Sequence, residues 1–476
     1  MRRRTDLLLF GMAAITSVMA AIDGSAVIVA FPTIVDEFQA SVAWVGWVIT
    51  AFALSVGITL PLVGRVADLV GQRTAFVGAL AIFLVGSVGA ALSTSVEQLV
   101  AFRAVGGLGG GAVMPLSAGI VADRFVENRA RMLGLMTSFF PIGGILGPNI
   151  GGLLVAVAGW RAIFLLNVPF CLLAMALGLW LLKGGRPAGS GRSVDLPGAL
   201  LLGSGTLALM TGLTLATAGP TAWRDVQSYG LVLAGLALWG ALAWWERRAE
   251  HPIIEIDILR LRPLFAANLI AFGISFFVFA MFGMIPLFLT RTLGVGPGQI
   301  GILITPRALL MVPTSMVVSF LLPRIGFRLP LVVGFLIVSL STTLISRMPG
   351  EIALGGLTIP DTVVLALLLA IAGLGMGFVV PSSNSVGMDL LPTRVTAIAG
   401  MRGAFNVLGN VLGTTGSLMI ISLAATQTDG LVLVFQIASV GMLSLLLLVP
   451  LLPGRTRPGR GAQAPIGRSS EPLVTD

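Results

Sequence analysis

The chain has 476 residues, of which 56% are hydrophobic and 10% charged, whereas a typical soluble protein has about 25% charged residues. Together with a mean hydropathy of +1.01, this composition excludes a soluble enzyme, a disordered chain and a secreted disulfide scaffold. One cysteine, Cys171, and one histidine, His251, exclude an internal disulfide and a cysteine- or histidine-based metal cage. The single lysine, Lys183, precedes a glycine, so the chain has no Walker A sequence. The net charge of +9 is surplus arginine on a very apolar chain, and we expect no nucleic-acid partner, no metal and no cofactor.

Fourteen apolar runs follow one another along the chain, each of about 18–28 residues and long enough to cross a hydrocarbon core of about 30 Å. Lipid admits only helices and closed barrels, and these runs lack the two-residue alternation of barrel strands. We therefore predict an all-α polytopic membrane protein with fourteen transmembrane helices. The first run is too long for a signal-peptide core and is kept as a helix. In chain order the runs are 7–31, 42–63, 74–93, 98–121, 132–158, 162–182, 196–218, 229–245, 264–290, 298–322, 329–346, 362–388, 395–423 and 430–452.

Basic residues are unequally distributed over the loops between these runs. With the N-terminus in the cytoplasm, 22 of the 29 basic residues fall in cytoplasmic tails and loops, four in outer loops and three within helices. Because cytoplasmic loops carry an excess of Lys and Arg, we predict that both termini are cytoplasmic and that the protein lies in the plasma (inner) membrane. The polar segment 454–476 is predicted to be a disordered cytoplasmic tail.

Five short motifs lie at fixed places relative to these runs, and most of them combine glycines with a charged residue. In chain order they are Asp23–Pro32 in the first run, Gly64–Arg73 after the second, Leu99–Gly109 at the start of the fourth, Gly143–Gly152 in the fifth and Gly159–Pro169 at the start of the sixth.

Together these motifs closely resemble the major facilitator superfamily and, within it, the fourteen-helix drug:proton antiporter (multidrug efflux) family. Gly64–Arg73 is similar to the signature loop of that superfamily, and Gly143–Gly152 is similar to its antiporter motif. The resemblance implies a major-facilitator fold of two six-helix bundles with two inserted helices. The implied units are an N-terminal bundle over 1–190, an inserted two-helix hairpin over 191–250, a C-terminal bundle over 251–453 and the tail 454–476.

A weak internal repeat supports two related halves. The loop Pro323–Arg328 holds, in the second half, the place of Asp68–Arg73 in the first. Its glycine and its last arginine align with those of the first loop, whereas a proline replaces the aspartate. Two halves that rock about a midplane site are the build expected of such a transporter.

Asp23 is the one acidic residue well inside a predicted helix, where a charge costs at least about 2.5–3.5 kcal/mol. At a rise of 1.5 Å per residue, Asp23 lies roughly 12 Å from the outer end of its run, and Arg103 and Arg307 lie roughly 8–13 Å below the outer ends of theirs. We therefore predict that Asp23 pairs with Arg103 and carries the proton. The alternative is a static ion pair that only holds helices together.

Two glycine-containing motifs predict moving parts. Gly64, Asp68, Gly71 and Arg73 are predicted to form a gate latch that stabilises the outward-open form, and the alternative is ordinary positive-inside charge. In the antiporter motif, small residues at every fourth position share one helix face and permit close helix approach, while a proline can bend the helix. The residues of that predicted tight, pivoting seam are Gly143, Gly147, Pro148, Gly151 and Gly152.

Two further arginines lie within predicted helices of the second half. Arg307 and Arg402 could bind substrate or relay charge, or their side chains could extend to the membrane interface. Many relatives place an arginine where Asn406 stands, and here Arg402 lies one turn earlier.

We conclude from the sequence that the protein is a proton-coupled antiporter that exports apolar or amphipathic compounds, such as drugs or antibiotics, and that it is not an enzyme. The alternative within transport is an exporter of lipids or lipid-like amphiphiles. A membrane enzyme would need a His/Cys cluster or paired intramembrane carboxylates, a sensor would need a signalling domain, and the antiporter motif argues against uptake. The expected partners are a small substrate, protons and membrane lipids, and we expect a monomer.

Overall fold

The computed structural model describes residues 2–60, 62–125, 129–182, 195–216, 225–249, 261–348, 352–354, 357–390 and 395–453, at some positions as backbone alone. The helices are α1 (Arg2–Phe38), α2 (Val42–Thr59), α3 (Val63–Val70), α4 (Gln72–Leu92), α5 (Val96–Arg124), α6 (Arg129–Ala158), α7 (Arg161–Leu181), α8 (Leu196–Leu215), α9 (Val226–Glu246), α10 (Arg262–Phe282), α11 (Ile285–Leu293), α12 (Pro297–Ile325), α13 (Arg328–Ile345), α14 (Asp361–Leu390), α15 (Val395–Leu423) and α16 (Gln427–Ser444). A 3₁₀ helix, Leu445–Leu451, continues α16, and the strands β1 (Ile352–Leu354) and β2 (Leu357–Ile359) form an antiparallel pair before α14.

The predicted all-α membrane fold is confirmed, and each of the fourteen apolar runs is helical over most of its length. Within the described residues, twelve helices are long and apolar enough to cross a membrane, and Ile142–Ala158 and Leu200–Leu215 are shorter apolar helices. In these helices the backbone groups are satisfied within each segment, as a hydrocarbon environment requires. The predicted tail over 454–476 lies outside the described residues.

Helix ends follow local sequence signals. Ser41 and Ser95 cap α2 and α5 by accepting hydrogen bonds from backbone N–H groups in the first turn. Gly294 ends α11 with a positive φ of 64°, a conformation that costs glycine little. The α10–α11 break lies just before Pro286, which lacks the N–H that a continuous helix would need.

The helices pack in two groups joined by a hairpin. In the first group α1 packs on α6, and α5 packs on α2 and α4; in the second group α12 packs on α14, and α10 packs on α15. Helices α8 and α9 pair with each other, and α8 also touches α2 and α15. The indole Nε1 of Trp47 in α2 donates to Thr214 Oγ1 in α8 at 2.9 Å, which fixes the hairpin to the first group.

Three local features differ from the predicted runs. Helix α1 ends at Phe38 and not at residue 31, because the helix continues past Pro32 through two further turns that include Asp36 and Glu37. The second run contains a helix end, and a separate short helix, α3, follows it. The ninth run is broken between α10 and α11, and the β1–β2 hairpin lies in the loop between the eleventh and twelfth runs.

Two names describe the ends of the bundle. The side on which α1 begins is the N-terminal face, and the side on which α1 ends, at Phe38, is the far face.

Candidate functional site

A buried ion pair lies inside the first group of helices. Asp23 on α1 and Arg103 on α5 are 1% and 4% exposed, and Arg103 Nη1 donates to Asp23 Oδ2 at 2.8 Å. The contact between these two residues was predicted from their depths, and the structure places it in an apolar interior where each charge is costly alone. Its role in proton coupling stays a prediction.

Asn167 completes the environment of the carboxylate. This α7 residue is 1% exposed, and its Nδ2 donates to Asp23 Oδ1 at 2.8 Å and lies 3.2 Å from Ser87 Oγ. Both oxygens of Asp23 therefore accept a hydrogen bond. We did not single out Asn167 from the sequence, although it lies within the motif Gly159–Pro169 and a buried polar amide in an apolar helix is itself a signal.

Arg103 is held on its other sides by α2 and by aromatic rings. Its Nε donates to the carbonyl oxygen of Val48 at 3.1 Å, and its guanidinium carbon lies 3.9 Å from the ring centroid of Phe52 and 5.5 Å from that of Phe164. An arginine cation is attracted to the face of an aromatic ring. Arg103 is thus oriented by contacts other than Asp23, so the guanidinium would keep these contacts if the two residues separated.

The depth estimate rested on one wrong helix end. Asp23 lies fifteen residues before Phe38, the end of α1, which is about 22 Å at 1.5 Å per residue. Arg103 lies seven residues into α5, or about 10 Å. The residues nevertheless share a level, because α1 extends beyond its predicted run by about two turns.

The glycines of the antiporter motif form the contact face between α6 and α1. An added Cβ on Gly143 would lie 2.7 Å from Ala21 Cβ and 2.7 Å from the carbonyl oxygen of Val18, and one on Gly151 would lie 2.8 Å from Ala26 Cβ. An added Cβ on Gly147 would overlap the side chain of Ser25. A side chain at any of these glycines would push α1 and α6 apart.

The opposite face of α6 contacts the second group of helices. An added Cβ on Gly152 would lie 2.7 Å from the carbonyl oxygen of Pro297 in α12, and one on Gly301 would overlap the carbonyl of Pro148. Asn149 Nδ2 donates to Thr305 Oγ1 at 2.6 Å. Helix α6 is therefore wedged between the groups, with small residues on both sides.

The predicted latch residues lie around α3, a short helix that packs on α4 and α5. Gly71 separates α3 from α4 with a φ of 85°, Gly64 is exposed and Arg73 is half-buried. The side chain of Asp68 lies outside the described part of the structure. Its role in a latch stays a prediction.

The second half repeats this helix–glycine–helix turn. Gly326 ends α12 with a φ of 74°, close to the 85° of Gly71, and Arg328 begins α13. The Nε of Arg328 donates to the carbonyl oxygen of Leu452 at 2.8 Å, and its Nη2 donates to that of Pro450 at 2.9 Å. The weak sequence repeat thus corresponds to a repeated backbone turn.

The two deep arginines of the second group have different surroundings. Arg402 on α15 is 5% exposed; its Nη2 donates to Ser383 Oγ at 2.6 Å and its Nε to Asn384 Oδ1 at 3.2 Å. The guanidinium of Arg307 on α12 lies 4.2 Å from the ring centroid of Phe282. Neither arginine forms an ion pair with a described residue.

Asn406, one turn after Arg402, joins α15 to α10. Its Oδ1 accepts from Ser275 Oγ at 3.1 Å. Gly409 and Gly413 continue this contact, since an added Cβ on either would overlap backbone carbonyls of α10. The structure therefore places Asn406 in a helix contact and apart from Arg402, which reaches α14.

Ion pairs at the far face were not predicted. Arg291 at the end of α11 pairs with Asp36 near the end of α1, and this contact joins the two groups of helices. Arg161 and the indole of Trp160 bind Glu37, at 2.5 Å and 2.6 Å. Sequence reasoning placed Arg161 and Arg291 in outer loops, but their partners depend on the way the helices assemble.

The described residues contain no group of three or more His, Cys, Asp or Glu side chains that could hold a metal ion. The candidate coupling site is the buried Asp23–Arg103 pair, a carboxyl group beside a cation.

Known proteins match this chain over most of its length. Residues 13–281 and 267–475 each match the sequence profile of the Major Facilitator Superfamily. The tetracenomycin C resistance and export protein of Streptomyces glaucescens is 28% identical over 403 residues, which is 84% of this chain and 73% of the relative. The multidrug resistance protein B homolog of Mycobacterium tuberculosis is 30% identical over 409 residues, or 85% of this chain and 74% of the relative.

A solved structure is similar in fold. The crystal structure of the human organic anion transporter MFSD10 (TETRAN) superposes with a TM-score of 0.55 and 18% sequence identity, over 94% of this chain and 99% of that one. At this identity the likeness concerns the fold alone.

Proposed function

Because this chain belongs to the Major Facilitator Superfamily, a family of multi-pass membrane transporters, we propose that it is a proton-coupled antiporter that exports small apolar or amphipathic compounds. The names of its relatives support efflux: two are a resistance and export protein and a multidrug resistance protein, and a third, from Bacillus subtilis, is a multidrug transporter. Coupling to protons is our own inference from the site.

One observation carries this proposal: the Asp23–Arg103 pair, almost fully buried and made by helices of one group. An acid buried in so apolar a chain is expensive to keep for packing alone. A neighbouring cation favours the ionised form of a carboxyl group, and an apolar interior without one favours the protonated form. A helix movement that separates the pair therefore binds a proton, and the return movement releases it.

The transport cycle follows from this two-state pair. In the described conformation the Asp36–Arg291 ion pair and the α6–α12 contact around Gly152 and Gly301 join the two groups at the far face, and our proposal takes this face to be closed. Opening of the far face breaks these contacts and shifts α1 against α6, which carries Asp23 away from Arg103. Protonation and substrate binding then bias the same equilibrium, which is the requirement for coupling.

We test the function with inverted membrane vesicles, in which the cytoplasmic side faces the medium. A neutral fluorescent amphiphile, N-phenylnaphthylamine, should accumulate only when an inside-acid pH gradient is imposed. Collapse of the gradient with a protonophore should release it. Equal accumulation with and without the gradient contradicts proton coupling.

We further propose fourteen spans, arranged as two six-helix bundles around the α8–α9 hairpin, with the N-terminal face in the cytoplasm. The first bundle is α1–α7, in which the short α3 does not cross the membrane. The second is α10–α16, in which α10 and α11 together form one span. This topology predicts that an epitope tag after Asp476, which lies outside the described residues, is not labelled by antibody in intact cells but is labelled after permeabilisation. A tag between β1 and β2 is the matched control and should be labelled in intact cells. External labelling of the C-terminal tag contradicts the topology.

The latch proposal predicts a selective defect for Asp68→Asn. A charge-assisted contact at the cytoplasmic end of the helices is worth about 1.5–3 kcal/mol, so its loss should slow transport about tenfold or more, while membrane insertion is unchanged because α3 lies at the interface. Transport into inverted vesicles, normalised to the amount of inserted protein, measures this effect. Asp123→Asn removes a neighbouring exposed carboxylate that accepts from Gln72 at 3.1 Å, and it should transport normally; equal rates for the two variants overturn the latch.

A further inference from the structure

We propose that Arg307 binds the anionic group of the transported compound, so that this carrier prefers amphiphilic anions, such as a carboxylate on an apolar aromatic body, to neutral analogues. The inference rests on the proposed function, since it identifies the substrate class of the same transporter. It depends on three observations: an unmatched charge, an aromatic support for that charge, and a helix break beside it.

The charge of Arg307 is unmatched among the described residues. Its Nε is buried and has no hydrogen-bond partner, and it forms no ion pair within the described part of the chain. Arg103, in contrast, is matched by Asp23 and by the carbonyl oxygen of Val48. Ionisable residues inside a membrane almost always have a partner, and a transported anion is the partner that Arg307 lacks.

An aromatic ring supports the guanidinium from one side. The guanidinium carbon of Arg307 lies 4.2 Å from the ring centroid of Phe282, the last residue of α10. A guanidinium that rests on a ring keeps its N–H groups free at its edge, where they can donate to a carboxylate in pairs.

The site lies at a broken helix. Phe282 is the last residue of α10, and α11 begins at Ile285. In transporters, substrate sites are built near discontinuous helices at the interface between the two halves. Thr305, two residues before Arg307, accepts from Asn149 of the first half at 2.6 Å, so this level of α12 contacts the first half, while the backbone of Arg307 packs on Gly373 of α14.

Arg402 does not belong to this site. Two of its nitrogens donate to Ser383 and Asn384, and it lies seven residues from the start of α15 at the N-terminal face. Arg307 lies ten residues from the start of α12 at the far face. The two arginines are therefore on different levels, and one carboxylate does not bridge them.

A matched pair of fluorescent probes tests the inference. Pyrene-butyrate and pyrene-butanol share one apolar body and differ in the carboxylate. Binding of each to the purified full chain in detergent is measured by equilibrium dialysis at pH 7, without any gradient. The variants are Arg307→Gln, Arg307→Lys and, as a matched control on the same helix, the exposed Arg324→Gln.

The wild type should bind pyrene-butyrate about tenfold or more tightly than pyrene-butanol, the usual effect of a hydrogen bond to a charged group. Arg307→Gln should lose this preference while its affinity for pyrene-butanol is unchanged, Arg307→Lys should retain part of it, and Arg324→Gln should resemble the wild type. The carboxylate should also raise the Tm of the wild type but not of Arg307→Gln. Equal binding of the two probes to the wild type, binding of neither, or a preference that survives in Arg307→Gln overturns the inference.

A purely structural role for Arg307 makes different predictions. If the residue only holds helices together, Arg307→Gln lowers the Tm measured without ligand and reduces the binding affinity for both probes equally. Failure of the inference is also distinct from failure of the proposed function. If the pH gradient drives transport of pyrene-butanol and pyrene-butyrate is not preferred, only the inference about Arg307 is overturned. If pyrene-butyrate binds in a way that depends on Arg307 but no gradient-driven transport occurs, only proton coupling is overturned.

Discussion

Asp23→Asn is expected to abolish both substrate-induced proton release from the detergent-solubilised protein and net transport driven by a pH gradient. The amide is isosteric with the carboxyl group but does not exchange a proton, so it imitates the permanently protonated form. Because Asp23 accepts from both Arg103 and Asn167, the substitution also removes the counter-charge of the guanidinium and leaves one amide oxygen for two donors. We expect that to cost about 3–5 kcal/mol of stability, while bound substrate is still detected.

A double variant separates coupling from stability. Asp23→Asn with Arg103→Gln removes both charges, and removal of a whole buried pair is far less destabilising than removal of one partner. It should therefore regain most of the lost Tm and still release no proton. The control Asp429→Asn removes an exposed carboxylate at the start of α16 and should release protons normally. Wild-type proton release from Asp23→Asn would show that another group carries the proton.

The positions of the helices could be predicted from the sequence because the lipid bilayer requires one property, apolar side chains, in every segment that crosses it. A segment that crosses lipid must be apolar along its length and satisfy its own backbone, and each apolar run is helical over most of its length. Helix ends outside the lipid are not under that constraint. Helix α1 continues to Phe38 through residues whose side chains bind Arg161 and Arg291, and hydropathy contains no information about those partners.

The candidate site could be predicted only where charge marked it. Asp23 and Arg103 are costly in lipid, and depth alone suggested their contact across 80 residues of sequence. Asn167 is uncharged and lies 144 residues from Asp23, so its place beside the carboxylate follows from the packing of α7 against α1 and α4. The α10–α11 break, by contrast, had a local signal in Pro286 that a reading based on apolar length overlooks.

The glycine face of α6 predicts the second large effect. Gly143→Ala would place a Cβ 2.7 Å from Ala21 Cβ and from a backbone oxygen of α1, and Gly151→Ala would place one 2.8 Å from Ala26 Cβ. None of these neighbouring atoms can rotate away, so α1 must shift. We expect each substitution to lower the free energy of unfolding by about 1–3 kcal/mol and to stop gradient-driven transport, since Asp23 lies on the displaced helix.

Gly144 supplies a matched control one residue away on the same helix, because an added Cβ there meets no atom within 4 Å. Gly144→Ala should therefore transport normally and gain about 0.5–1 kcal/mol from the restricted backbone. The Tm and the transport rate of Gly143→Ala, Gly144→Ala and Gly151→Ala are measured side by side. A uniform loss in all three would point to helix flexibility as the requirement, and normal transport by Gly143→Ala would contradict a tightly packed seam. The expected pattern, loss at the two packed glycines alone, would show that close contact between α1 and α6 keeps Asp23 in register with Arg103.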